Sequence, residues 1–132
     1  MNCLLTRTFH FNSAHSLPNY QGDCHNLHGH TWVLDVTIEC VVSKETGMGI
    51  DFKTLKQIVT DKVINQLDHH LLNDIVPNPT AEALCHWIWY NLELTIAQAG
   101  YTLHSLTLYE SPETSCHVTK DLLLAKNGLE DG

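Results

Sequence analysis

Three histidines carry the strongest chemical signal in this sequence: His15, and the pair in His28-Gly29-His30. On a β-strand, residues two apart point to one face, so the two imidazoles of the triplet can reach a single ion. Catalytic zinc sites use three protein ligands and leave a fourth position open for water or substrate, a demand that three histidines meet. Gly29, without a side chain, lets a ligand or another backbone come close. His15 supplies the third imidazole if the intervening segment returns the chain antiparallel. A lone His-x-His also fits a chance pair in a chain with 10 histidines, so the surrounding residues decide.

Cys24 stands four positions before His28, in the segment that must pass the metal. Its thiolate suits a general base or nucleophile; equally, with the three histidines it would close a four-ligand structural zinc site. Asp68-His69 is a second candidate pair, because a carboxylate beside an imidazole fixes its tautomer and raises its basicity. His70 competes for that role, and a histidine at a helix end also interacts favourably with the helix dipole. Glu110 follows the apolar face of Leu106 and Leu108; it is either a solvated strand-end carboxylate or the partner of a guanidine-like heterocycle edge.

These groups need elements to hold them. Phe9 and Phe11 share parity with His15, which predicts a strand ending at that histidine. SLPNYQGDCHN, rich in Pro, Asn, Gly and Asp, reads as a loop. From His28 to Cys40 a second strand puts Trp32, Leu34, Val36 and Ile38 on the face of His28 and His30. Asp51 is an N-cap for a helix with apolar positions Phe52, Leu55, Ile58, Val59, Val63 and Leu67, ending near Leu67. Thr80 caps a second helix that runs through Leu84, Ile88, Leu92 and Ile96 to a stop at Gly100. Tyr101 to Glu110 alternates as a third strand, and Ser115 to Thr119 as a short fourth. The polar tail from about Lys126 is expected to fray. Strand, strand, helix, helix, strand, strand predicts an α+β fold: an antiparallel sheet with both helices on one face.

With 132 residues and 14.9 kDa the chain has room for one ordinary core, so a single domain over 1–132 is expected. A formal net charge of -8 excludes a protein built to grip a nucleic-acid backbone. The start, MNCLLTRTFHF, is neither a secretion signal nor a membrane span. Five cysteines at irregular spacing, without a CxxC pair, read as free thiols in a reducing compartment, and the cytoplasm is the expected location.

Together FHFNSAHSL, CHNLHGH, GMGIDF, LDHHLLN, PTAEAL and LYES resemble the 6-pyruvoyltetrahydropterin and 6-carboxytetrahydropterin synthase family, in that order along most of the chain. The resemblance implies the tunnelling fold, in which the sheets of several subunits join into a barrel and the protein is a homohexamer, a dimer of trimers. It implies Zn2+ on His15, His28 and His30, proton abstraction by Cys24 with Asp68 and His69 as relay partners, and Glu110 as anchor of the pterin ring, with Thr80 near that ring. Three residues separate Cys24 from His28, a short spacing similar to the bacterial 6-carboxytetrahydropterin synthases of queuosine biosynthesis. The implied substrate is 7,8-dihydroneopterin triphosphate and the implied products are 6-carboxytetrahydropterin, acetaldehyde and triphosphate. The rivals are a 6-pyruvoyltetrahydropterin synthase and a non-catalytic zinc-binding module. Gly49, where the family usually has an apolar residue, Ser111, where it usually has Thr, and the lack of an aromatic in the last strand depart from the pattern.

Overall fold

The structure is a computed structural model that describes residues 1–22 and 25–125. Four antiparallel strands, β1 (Asn2–His15), β2 (His28–Val41), β3 (Thr102–Ser111) and β4 (Thr114–Thr119), form one sheet in the order β1-β2-β3-β4. Alternation sorts each strand by face, as expected for a sheet covered on one side. On β2, Trp32, Leu34, Val36 and Ile38 are fully buried, while Thr31 and Glu39 are exposed. The buried face is covered by α3 (Ala81–Gln98) and by a helical segment composed of α1 (Phe52–Val59), a wider π turn (Thr60–Ile64) and α2 (Asn65–Leu67). Within the described residues no helix is long and apolar enough to cross a membrane.

Local chemistry accounts for the helix ends. Asp51 Oδ1 accepts from the Lys53 amide at 2.8 Å and Thr80 Oγ1 from the Ala83 amide at 3.1 Å, both N-caps. Gly100, with φ +92, lets Tyr101 N–H return to the Ile96 carbonyl and close the last turn of α3. The π turn is a feature that helical periodicity alone does not predict. Leu55, Val59, Val63 and Leu67 are all fully buried and recur every fourth residue, and a regular α-helix would drift by about 40° at each such step. A wider turn absorbs the drift and keeps all four on the sheet. Phe52, expected among the inward positions, is instead 43% exposed; it opens the helix, off the every-fourth-residue row of Leu55, Val59, Val63 and Leu67. A short fourth helix, α4 (Lys120–Leu124), capped by Thr119, follows β4 unforeseen; the expected fraying from Lys126 falls outside the described residues.

Candidate metal centre and active site

The β1–β2 register sets His15 directly opposite His28, with Ser13 opposite His30. All three histidines therefore meet at one end of the sheet, under the end of α2. His15 is completely buried, and Trp32 stacks edge-on against both His15 and His30. The Trp32 indole N–H donates to the Ser13 carbonyl at 3.2 Å, locking the strand ends together.

Two backbone carbonyls choose the ring tautomers. His15 Nδ1 lies 2.7 Å from the Pro79 carbonyl oxygen, and His28 Nδ1 lies 2.8 Å from that of Asn26. A carbonyl only accepts, so both rings carry their proton on Nδ1 and both Nε2 atoms present lone pairs. Those Nε2 atoms face each other at 3.1 Å. Two converging lone pairs repel unless a cation lies between them. His30 Nε2 is buried and 3.1 Å from Glu110 Oε1, out of line for a hydrogen bond, so it has no partner. Burial is the main cause that holds the His30 imidazole below its ordinary value; Glu110 opposes this, and His15 and His28 reinforce it.

The donor set fits a zinc-sized ion. One nitrogen or oxygen from each of His15, His28, His30 and Glu110 lies within 4.8 Å of all the others. Ligands about 2.0–2.1 Å from zinc at tetrahedral corners are about 3.3 Å apart, and the 3.1 Å and 3.8 Å separations found here bracket that value. Glu110, expected on the pterin ring, thus also stands beside the imidazoles, an arrangement the sequence reading did not anticipate. The bulge in the β3–β4 pairing between Tyr109 and Ser111 is what lets the strand end turn inward there.

Asp68 and His69 sit where α2 ends, as expected. Asp68 Oδ1 accepts from the Asn12 amide at 2.9 Å and Oδ2 is 3.0 Å from His69 Nδ1. The Asn12 amide is the main cause that lowers the Asp68 carboxyl, helped by His69 and His70 and opposed by desolvation. His69 adopts φ +59, uncommon outside glycine, and its amide donates to the Asn12 carbonyl at 2.7 Å. Asn12 therefore pins the Asp-His pair to the strand that carries His15. His70, the competitor, turns its Nδ1 to the Asp68 carbonyl, leaving the carboxylate to His69.

Two clefts meet at this cluster. One, of about 670 Å³, is lined by Asn12, Gly29, His30, His69 and His70. The other, of about 720 Å³, is lined by Gly29, His30, Asp35, Tyr109, Glu110 and Ser111. Gly29 borders both and a Cβ there would meet open space, so it leaves room for a ligand. Thr80 lies in neither: its hydroxyl caps α3 and it borders a separate groove with Trp87 and Tyr90. Cys24 lies outside the described residues.

Sequence reasoning missed four supporting groups. Backbone carbonyls at Pro79 and Asn26 leave no signature in side-chain patterns. Ser13 Oγ donates to the buried Leu67 carbonyl, tying the end of α2 to β1. Asn73 clamps the Ser16 backbone by two hydrogen bonds of 2.9 Å; its place in LDHHLLN was the available hint.

The profile of the 6-pyruvoyl tetrahydropterin synthase family matches residues 4–121, spanning every element that builds this site. The chain belongs to that family. It is 37% identical over 115 residues to the 6-carboxy-5,6,7,8-tetrahydropterin synthase of Synechocystis sp., covering 82% of this chain and 86% of that protein. It is 36% identical to the 6-pyruvoyl tetrahydrobiopterin synthase of Dictyostelium discoideum over 104 residues, covering 67% and 77%. The fold matches that of Caenorhabditis elegans 6-pyruvoyl tetrahydropterin synthase with a TM-score of 0.80 at 22% identity, over 90% of this chain and 96% of that one. As a family member, the chain is a pterin-processing enzyme of the lyase type.

Proposed function

We propose that this protein is a zinc-dependent 6-carboxytetrahydropterin synthase, converting 7,8-dihydroneopterin triphosphate to 6-carboxy-5,6,7,8-tetrahydropterin with release of acetaldehyde and triphosphate. The observation that carries the reading is the convergence of the His15, His28 and His30 rings beside an Asp68-His69 pair that opens on the same cleft. The similarity to the Synechocystis enzyme favours the carboxy-forming reaction, and the short Cys24–His28 spacing suggests queuosine biosynthesis as its setting by family resemblance.

His15, His28 and His30 would hold Zn2+, which supplies Lewis acidity toward the substrate's side-chain hydroxyls. Cys24 is assigned proton abstraction. Asp68 keeps the His69 ring oriented through Nδ1, which leaves Nε2 free to take up and return protons at the cleft. Glu110 accepts paired N–H donors from the pterin's guanidine-like edge, with Tyr109 and Ser111 walling the cleft in which that ring sits. Thr80, which the family resemblance puts near the ring, borders the separate groove with Trp87 and Tyr90 in this chain. The family resemblance adds a homohexamer in which sheets join into a barrel, each chain acting as one domain in the cytoplasm.

The Dictyostelium relative gives the second reading: a 6-pyruvoyltetrahydropterin synthase would use the same residues and keep the three-carbon side chain. Product analysis separates them. Zinc-loaded protein incubated with dihydroneopterin triphosphate should release acetaldehyde in step with triphosphate; triphosphate without acetaldehyde would establish the pyruvoyl reaction, and neither product would leave only a zinc-binding role.

A further inference from the structure

The end of the sheet remote from the histidines holds a second arrangement of reactive groups. Cys3 and Cys40 are register partners on β1 and β2, and both side chains point to the helix-covered face. Twelve register positions separate them from the His15–His28 pair, about 40 Å along the strands. Both are free thiols, and Cys40 Sγ approaches the Cys3 carbonyl at 4.0 Å. Directly opposed residues of antiparallel strands have Cα atoms about 4.5–5.5 Å apart, inside the span a disulfide bridges.

Gly49 is the independent observation. It does not line the clefts of the site described above. A Cβ at this position would collide with Cys40 Sγ and come within 3.3 Å of Leu5 Cδ1. The missing side chain is therefore the space in which the Cys40 sulfur sits. Cys40 is buried, whereas Cys3 is half-exposed, so an oxidant reaches the pair through Cys3.

We propose that Cys3 and Cys40 constitute a thiol–disulfide modification site that takes a small-molecule disulfide as its oxidant. The Cys3 thiolate attacks one sulfur of the oxidant, forming a mixed disulfide and expelling one thiol. Cys40 Sγ then attacks the Cys3 sulfur, forming the intrachain disulfide and expelling the second thiol, while the two cysteine protons pass to the expelled thiolates. One disulfide is reduced and one formed. The product staples the start of β1 to the end of β2 and closes the loop between them, constraining the unfolded chain.

The test uses the zinc-loaded full chain and glutathione disulfide. Expected are a mass lower by two hydrogens relative to the same protein without oxidation at these residues, a Cys3–Cys40 crosslinked peptide under non-reducing digestion, reversal by dithiothreitol, and a thermal midpoint raised by about 10 °C. Cys3→Ser should abolish the crosslink and the thermal shift and leave turnover unchanged, since the pair is remote from the histidines. Arrest at a glutathione adduct on Cys3 would overturn the proposal. So would a crosslink confined to Cys85 and Cys116, the other neighbouring thiols, where Cys85 donates to the Cys116 carbonyl at 3.6 Å. If Cys3→Ser failed to fold, Cys3→Ala would serve in the same assay.

Discussion

His15 Nδ1 donates to the Pro79 carbonyl across 2.7 Å, and this single contact decides which nitrogen of a completely buried ring faces the other histidines. Because the segment before α3 supplies that carbonyl, the helix that covers the sheet also sets the donor end of β1. The ring cannot turn its proton toward His28 without leaving the buried Pro79 carbonyl unpaired and facing the Nδ1 lone pair.

Loss of a ligand should therefore be seen first in the metal. His15→Ala and His28→Ala are expected to weaken zinc binding beyond the roughly 10–100-fold typical of losing an outer-shell partner, measured by competition with a chromophoric chelator. Stripping zinc from the parent protein should lower its thermal midpoint, since a ligand at a thousandfold excess over its Kd contributes about 4 kcal/mol. Full zinc retention by both variants would remove the metal-centre reading.

Asp68 predicts a pH dependence on the acid side. Its folded-state pKa is lowered, chiefly by the Asn12 amide and further by His69, so the carboxylate stabilises the fold above its unfolded-state value, about pH 4. That contribution fades as pH falls through the lower folded-state value. Zinc-free protein compared with zinc-free Asp68→Asn by urea unfolding should show a stability gap at pH 6 to 7 that closes below about pH 4. An equal gap at all pH values would show that the carboxylate's charge plays no part.

Glu110 distinguishes ring anchorage from metal ligation. It borders the cleft with Tyr109 and Ser111 and also lies 3.1 Å from His30 Nε2. Glu110→Gln keeps shape and loses charge. As ring anchor, it should raise KM at least about tenfold, the loss of a charge-assisted pair, with zinc stoichiometry unchanged. A drop in zinc content with KM unaltered would make it a fourth ligand instead.

Much of this was legible in the sequence where one periodicity governs. Alternation in β1 and β2 placed His15, His28 and His30 on the helix-covered face, Asp51 and Thr80 marked helix starts through their side-chain oxygens, and Gly100 marked a helix end through its backbone freedom. Features that depend on two distant segments were not legible. The π turn arises because residues spaced by four must meet a flat sheet, and Glu110 joins the imidazoles through a bulge defined only by pairing with β4. Pro79 and Asn26 act through carbonyls, which every residue has.

Gly49 and Cys40 yield the sharpest packing prediction. A Cβ at 49 would collide with the buried Cys40 sulfur while also crowding Leu5. Gly49→Ala should thus destabilise the protein by about 1–3 kcal/mol, the range for overpacking. Cys40→Ala alone leaves a small cavity and costs about 1 kcal/mol. Combined, the two substitutions exchange one volume for the other, so the double variant should be more stable than the sum of the single losses predicts, by about 1 kcal/mol or more. Urea unfolding of all four proteins under reducing conditions measures that coupling. Strict additivity would mean that Gly49 is present for its backbone and not for the sulfur.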